Sequence, residues 1–358
     1  MIRALLAALA LTAATTLAAT APARAAPWPT TEGDVILKDV AFKSGEHLAE
    51  VRMRYMTAGT PRRNAQGEIE NAVMLLHGTG GSGRNFLSPL FADELFGPGQ
   101  PLDLAKTYVI MPDNIGHGGS SKPSDGSRMA FPRYDYDDMV ALQHRLLVEG
   151  LGVKRLKLIL GASMGCMHAF VWGETYPGFA ERLAPFACNA VALAGRNRMW
   201  RKMALDAIRA DPAWMGGDYK TQPLAGLRTV TDLLILAGLN PVAQQAQNPT
   251  REASDKALEQ AFNARLGGID ANDALYYLDS SRNYDPSPAL EKITVPVLWV
   301  NSADDFINPP ELGLAEQLVK RMPKARFVLI PVSTETRGHG THTAAKFWKA
   351  ELAELLAQ

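Results

Sequence analysis

The sequence predicts an α/β protein with a mostly parallel, doubly wound sheet and an inserted helical segment. Short apolar runs bounded by Gly, Pro or Asp alternate with longer helix-like segments. Such runs suit strands buried on both faces of a parallel sheet, and their alternation with helices indicates a doubly wound arrangement. The predicted strands are 51–56, 72–76, 108–111, 156–160, 297–300 and 327–330, and the main predicted helices are 136–151, 164–176 and 310–322.

Length and composition narrow the classes of protein. The 358 residues are 47% hydrophobic and 21% charged, enough to bury the core of one large domain with an insertion. Lysine plus arginine and aspartate plus glutamate each number 37. This balance argues against a nucleic-acid-binding or polybasic membrane-surface protein, because both carry a basic excess. Two cysteines are too few for a disulfide-rich scaffold or a cysteine-rich zinc site, and the sequence leaves open whether Cys166 and Cys188 pair or remain buried thiols.

The N-terminal segment has the pattern of a signal peptide. Arg3 precedes a weakly apolar run of alanine and leucine over 4–21, and Ala23-Arg24-Ala25 offers small residues around a cleavage point. The run is too short and alanine-rich to favour a membrane anchor. We therefore expect residues 1–25 to be removed before Ala26, leaving a mature domain of 26–358 in the periplasm or outside the cell, where a disulfide is permitted.

The segment of about 196–285 breaks the alternation, because it contains helix-like patterns and no convincing strand run. Trp200, Ala204 and Ile208 fall on one face of a helix. The charged residues on the other side are expected to form a solvated face rather than a binding patch; they are Arg201, Lys202, Asp206 and Arg209. A helical insertion between strands would lie over the carboxyl edge of the sheet as a lid.

The strongest local motif follows the predicted strand 156–160. It reads Gly161-Ala162-Ser163-Met164-Gly165 and runs directly into the predicted helix 164–176. A G-x-S-x-G motif between a strand and a helix is a nucleophile elbow, in which the glycines permit the tight turn. The helix start directs backbone N–H groups and the positive end of its dipole towards developing negative charge. Ser163 is therefore the candidate nucleophile.

A nucleophilic serine needs a base and an acid that orients the base, and in this topology they follow the serine in the order acid, histidine. Of the seven histidines, only His339 and His342 follow the last predicted strand. We expect His339 to be the base because glycines flank it, with His342 as the alternative. A metal-binding role for this His-x-x-His pair is disfavoured, because no third ligand has suggestive spacing.

Two adjacent aspartates follow the predicted strand 297–300. We expect Asp304 to orient the imidazole, with Asp305 as the alternative and position in the turn as the only discriminator. An ordinary loop or helix-capping role is the competing interpretation for either one.

The oxyanion formed by attack needs two hydrogen-bond donors. We expect the backbone N–H groups of Met164 and Thr79 to supply them, since Thr79 lies in the glycine-rich loop after the strand 72–76. The Thr79 side chain is then expected to matter little.

The same loop contains Gly78-x-Gly80-x-x-Gly83, a dinucleotide-binding fingerprint. An oxidoreductase is nevertheless disfavoured. The fingerprint calls for an acid about twenty residues on, at the end of the next strand, and none is clearly there: Asp113 follows that strand but lies 30 residues beyond Gly83.

Taken together, these motifs resemble the α/β-hydrolase superfamily and, within it, the homoserine O-acetyltransferase-like branch. The resemblance covers nearly the whole mature chain. It places the acid at Asp304 and the base at His339. The remaining matching segments are Ser44-Gly45-Glu46, Tyr55-Met56-Thr57-Ala58-Gly59, Asp113-Asn114-Ile115-Gly116, Ser120-Ser121-Lys122-Pro123, Met167, and in the lid Ala207-Ile208, Asp211-Pro212, Trp214 and Gly217-Asp218-Tyr219.

The resemblance implies acyl transfer through an acyl-serine, since the branch's acetyltransferases move an acetyl group from acetyl-CoA to the homoserine hydroxyl. It also implies a homodimer through the lid as one option for the oligomeric state. Two departures concern the site. Val230-Thr231 stands where those transferases usually carry Ala-Arg, whose arginine binds the amino acid's carboxylate, and only Arg228 lies nearby. The loop from His77 to Gly81 is more similar to the hydrolase form.

These departures and the signal peptide favour an exported serine hydrolase that acts on an ester or related small acyl compound, with no metal or organic cofactor. An acyltransferase of the homoserine O-acetyltransferase type that uses the same three residues is the alternative. A non-catalytic binding protein is disfavoured because serine, aspartate and histidine all occur in the expected order.

Overall fold

The structure is a computed structural model that describes residues 28–358. The predicted signal peptide and its cleavage point lie outside the described residues. In the described chain one sheet has the spatial order β1-β2-β4-β3-β5-β6-β7-β8. Its strands are β1 Thr30–Ala41, β2 His47–Ala58, β3 Ala72–Leu76, β4 Tyr108–Pro112, β5 Leu158–Ala162, β6 Leu183–Phe186, β7 Val297–Ser302 and β8 Ala325–Ile330.

The sheet is parallel except at one edge. β1 and β2 form an antiparallel pair, and β2 also runs antiparallel to β4. The remaining neighbours, from β4 through β8, pair in parallel. The predicted α/β fold with a mostly parallel, doubly wound sheet is therefore confirmed.

Two strands were not predicted from the sequence. β1 is long and half-exposed, and its side chains do not form a buried apolar run. β6 has only four residues, and one of them is Pro185. β1 lacks the continuous apolar run on which the prediction depended, and β6 is very short and contains a proline, which disfavours a strand. Pairing with neighbouring strands in the folded sheet decides both.

The helices cover both faces of the sheet. They are α1 Pro89–Leu95, α2 Tyr136–Arg145, α3 Met164–Thr175, α4 Gly195–Ala210, α5 Leu224–Ala237, α6 Pro241–Gln247, α7 Arg251–Leu266, α8 Ala271–Asp279, α9 Leu314–Leu318 and α10 Lys349–Leu356. α2 and α3 pack on one face, and α1 and α10 pack on the other. The predicted helix 310–322 is interrupted at Gly313, whose φ of +62° is left-handed.

The chain between β6 and β7 forms α4 to α8. Of these helices, α4, α5 and α8 share an apolar cluster separate from the two beside the sheet. Trp200, Ala204 and Ile208 are buried there, as their helical spacing predicts. Arg201 departs from the expected solvated face, because it is only 2% exposed. None of the helices among residues 28–358 is long and apolar enough to cross a membrane.

A disulfide joins Cys166 to Cys188. Cys166 lies in the first turn of α3, three residues after Ser163, and Cys188 follows β6. Both residues are buried. The bond therefore connects the start of the helix that follows Ser163 to the neighbouring strand end, and the alternative of two free thiols does not hold.

We expect a Cys166→Ala/Cys188→Ala variant to be less stable than the native chain. A disulfide that closes a loop of this length, 22 residues, stabilises a protein by about 3 kcal/mol, chiefly by restricting the unfolded chain. Urea unfolding with and without reductant measures the difference. Reductant should lower the stability of the native chain and leave the variant unchanged, and equal stability of all four samples would contradict a stabilising bond.

Candidate active site

Ser163 lies between β5 and α3 in a strained backbone conformation. Its φ of 55° and ψ of −109° are uncommon for a residue with a side chain. A Cβ at Gly161 would lie 1.9 Å from the Gly165 carbonyl oxygen, and a Cβ at Gly165 would lie 2.0 Å from that of Leu76. Only glycine fits at either position, so the turn presents the serine as the motif predicts.

His339 is the histidine that contacts the serine. Its Nε2 lies 2.8 Å from Ser163 Oγ. The ring comes from a loop after β8 in which Gly338 has a φ of +59° and packs against the backbone of Leu239. Of the two sequence candidates, the structure places His339 and not His342 against the serine.

His342 has a different environment. Its Nδ1 hydrogen-bonds to the His339 carbonyl oxygen. Burial lowers the pKa of His342 to about 3, and the electrostatic interaction with the neighbouring His339 ring acts in the same direction. This imidazole is therefore neutral near neutral pH. Among residues 28–358 no group of three or more His, Cys, Asp or Glu side chains is arranged to hold a metal ion.

The carboxylate partner of His339 is Asp305, and the expectation of Asp304 was wrong. The Asp305 oxygens lie 2.9 and 3.0 Å from His339 Nδ1. The same carboxylate accepts backbone N–H bonds from Ile307 and Asn308. Burial alone would raise the pKa of Asp305, but the charge and hydrogen bond of His339, together with those backbone donors, bring it below its ordinary value. Asp305 is therefore ionised beside the imidazole.

Asp304 instead joins three segments around the site. It accepts hydrogen bonds from Ser302 Oγ, Asn240 Nδ2, Thr336 Oγ1 and the Gly338 N–H. Asn240 also caps α6 through its Oδ1. Asp304 thus fixes the histidine loop and the start of α6. The two adjacent carboxylates serve different partners because successive side chains of the turn point in different directions.

Met164 and Thr79, the residues expected to supply the oxyanion donors, lie near Ser163. Met164 is the first residue of α3, where N–H groups have no intrahelical acceptor. The loop after β3 approaches from the other side, since a Cβ at Gly78 would lie 3.3 Å from that of Ser163. Thr79, the next residue, lines the same cavity as Ser163 and His339.

A buried polar network supports this loop, and the sequence did not predict it. His77 Nδ1 hydrogen-bonds to the Gly78 carbonyl oxygen, and its Nε2 accepts the N–H of Asn114. Gln143 donates to Asn114 Oδ1 and also contacts His168 Nδ1. Burial lowers the pKa values of His77 and His168. These neutral imidazoles act as hydrogen-bonding spacers that fix the loop before Thr79.

The serine and histidine face a cavity of about 820 Å³ between the sheet and the helices α4 to α8. The glycine-rich loop forms one wall, and Trp200, Arg201 and Tyr277 of the helices form another. Such a volume accommodates a small organic substrate. The arrangement of hydroxyl, imidazole, carboxylate and nearby N–H donors is suited to nucleophilic attack on an acyl carbon.

The two aspartates give a sharp test of the site. We expect Asp305→Asn to lower kcat for ester cleavage by about 10⁴-fold, because the amide no longer selects the reactive tautomer or stabilises the imidazolium. The loss of kcat in Asp304→Asn should be at least tenfold smaller, since the amide oxygen still accepts hydrogen bonds from the surrounding donors. Measurements of kcat compare the two variants. Circular dichroism checks that both variants fold, and an equal loss in both would contradict the assignment of Asp305.

The sequence comparisons agree with the geometry. A profile described as the α/β hydrolase fold matches residues 71–333. The chain is 29% identical over 297 residues to a probable acyltransferase of Methanothermobacter thermautotrophicus, covering 82% of this chain and 88% of the relative. It is 29% identical over 359 residues to a homoserine O-acetyltransferase of Thermobifida fusca, covering 88% and 91%.

Solved structures share the fold. A homoserine O-acetyltransferase from Bacillus anthracis superposes with a TM-score of 0.79 at 22% identity, covering 92% of this chain and 98% of its own. Esterase E22 superposes with a TM-score of 0.79 at 20% identity, covering 92% and 100%. This protein belongs to the α/β-hydrolase family, in its homoserine O-acetyltransferase-like branch.

Proposed function

We propose that this enzyme transfers an acyl group from an ester or thioester to the hydroxyl group of a small acceptor through an acyl-Ser163 intermediate. The observation that carries the proposal is the continuous contact from Ser163 Oγ to His339 Nε2 and from His339 Nδ1 to the Asp305 carboxylate. The named relatives favour this transferase over the hydrolase that the sequence analysis placed first.

The geometry supports a two-step route. His339 accepts the Ser163 proton as Oγ attacks the acyl carbon, and Asp305 stabilises the imidazolium that forms. The Met164 and Thr79 N–H groups stabilise the oxyanion. As the intermediate collapses, His339 returns the proton to the leaving alcohol or thiol, and the acyl group remains on Ser163. The acceptor hydroxyl then repeats the sequence in reverse, with His339 first as base and then as acid towards Ser163.

Water is the second candidate acceptor, and hydrolysis is then the reaction. Two observations favour it. Val230 and Thr231, at the position of the usual Ala-Arg pair, are buried within the helical cluster, and Arg228 forms ion pairs with Asp232 and Glu259. An esterase superposes as well as the transferase does. The expected export, which would separate the enzyme from cytosolic acyl-CoA, remains a prediction.

Replacing the nucleophile tests the shared chemistry. We expect the native enzyme to cleave p-nitrophenyl acetate, and Ser163→Ala to lose at least about 10³-fold in kcat, because the acyl-enzyme cannot form. Mass spectrometry after rapid acid quenching should find one acetyl group on the native chain and none on the variant. Undiminished turnover by a folded Ser163→Ala variant would rule out this nucleophile.

The choice of acceptor is measured by partitioning. With p-nitrophenyl acetate as donor, we expect added homoserine to yield an O-acetyl product in competition with acetate, because both acceptors attack the same acyl-enzyme. Chromatography gives the ratio of O-acetyl product to acetate as the homoserine concentration is raised. Acetate as the sole product at saturating donor would assign the enzyme to hydrolysis instead.

A further inference from the structure

Arg201 is a buried cation at the wall of the active-site cavity. It lies on α4 and lines the same cavity as Ser163 and His339, although only 2% of its surface is exposed. No Asp or Glu side chain among residues 28–358 forms an ion pair with it. A buried charge without a counterion is costly, so its position calls for an explanation.

The partners of the Arg201 guanidinium are neutral and few. Nε donates to Asn197 Oδ1 at 3.1 Å, and Nη1 lies 3.5 Å from the Leu278 carbonyl oxygen. The Tyr136 hydroxyl is a third neutral neighbour. A guanidinium has five N–H donors, so these three neighbours leave donors available for a ligand. The group stacks over the Trp200 ring with its central carbon 4.7 Å from the ring centroid, an arrangement that holds its plane in place.

The electrostatic surroundings increase the need for an anion. Burial lowers the pKa of Arg201, and the positive charge of nearby Arg198 lowers it further. Neighbouring Tyr136 raises it. The guanidinium still remains protonated, as arginine does in proteins. Arg265 and Arg337 also line the cavity, whereas its acidic residue Glu335 is ion-paired with Lys346. The wall is therefore positive.

We propose that Arg201 binds a carboxylate carried by a substrate of the acyl-transfer reaction, at a point away from the reacting ester or hydroxyl group. A carboxylate fits because it is planar, pairs with two guanidinium N–H groups and supplies the single negative charge that one buried cation lacks. This proposal rests on the proposed function. The carboxylate belongs either to the acyl group or to the hydroxyl acceptor, and both sources share this chemistry.

The first experiment compares matched substrates. One arm measures kcat/KM for p-nitrophenyl hydrogen glutarate against p-nitrophenyl valerate, and the other measures transfer to 4-hydroxybutyrate against 1-butanol. If the carboxylate belongs to the acyl group, the first arm should show the preference, and if it belongs to the acceptor, the second arm should. The rate constant for the anionic compound should then exceed that for the neutral one by about 10- to 100-fold, the range for a hydrogen bond to a charged group. No anionic preference in either arm would overturn the proposal.

Variants connect the preference to Arg201. Arg201→Met should remove it mainly through a higher KM for the anionic compound, so that the variant uses the anionic and neutral compounds with similar kcat/KM. Arg201→Lys should restore part of it, because the charge returns without the planar pair of donors. The matched control is Arg209→Met, which removes an exposed arginine from the same helix and should keep the preference. Persistence of the preference in Arg201→Met would overturn the proposal.

A second readout does not depend on turnover. In the Ser163→Ala background, calorimetry should detect glutarate or 4-hydroxybutyrate binding that Arg201→Met weakens about 10- to 100-fold. Arg201→Met should also unfold at an equal or higher temperature without ligand, because it removes an uncompensated buried charge. A strongly destabilised variant together with ligand binding unaffected by the substitution would make Arg201 structural. Absent ester cleavage by the native enzyme would count against the proposed function alone.

Discussion

The site depends on one imidazole that contacts two groups at once. His339 reaches Ser163 through Nε2 and Asp305 through Nδ1. These three side chains come from the turn after β5, the loop after β7 and the loop after β8. Because parallel strands end at the same edge of a sheet, residues far apart in the chain meet there. The strained turn at Ser163, the buried Asp305 and the glycine-containing loop of His339 all position side chains for this contact.

Most of the groups around that contact hold the reactive side chains in position and do not themselves react. Asp304 accepts hydrogen bonds from Ser302 at the end of β7, from Gly338 in the histidine loop and from Asn240 at the start of α6, so it joins these loops to the helices. His77 and its buried amide partners hold the loop that precedes Thr79. The disulfide connects the first turn of α3 to the chain after β6. Each of these contacts restricts movement where a small displacement would separate the nucleophile from its base.

The helical segment α4 to α8 forms one wall of the cavity that Ser163 faces. It contributes an indole, a guanidinium and a phenol to that wall. In the proposed function, hydrolysis and transfer use the same three residues, since both pass through an acyl-serine. The choice between substrates is therefore proposed to depend on this wall, in which Arg201 is the one deeply buried charge among the cavity-lining residues that the structure describes.

The sequence by itself determined the fold class and singled out Ser163 and His339, which the structure brings into contact, because each left a local pattern. Buried parallel strands are continuous apolar runs, and the glycines around Ser163 and His339 mark tight turns. Only the tertiary structure decided between Asp304 and Asp305, since two identical side chains one residue apart differ solely in the direction that the folded turn gives them. It likewise decided the burial of Arg201, because helical periodicity gives a residue's face but not the loops and helices that pack against it.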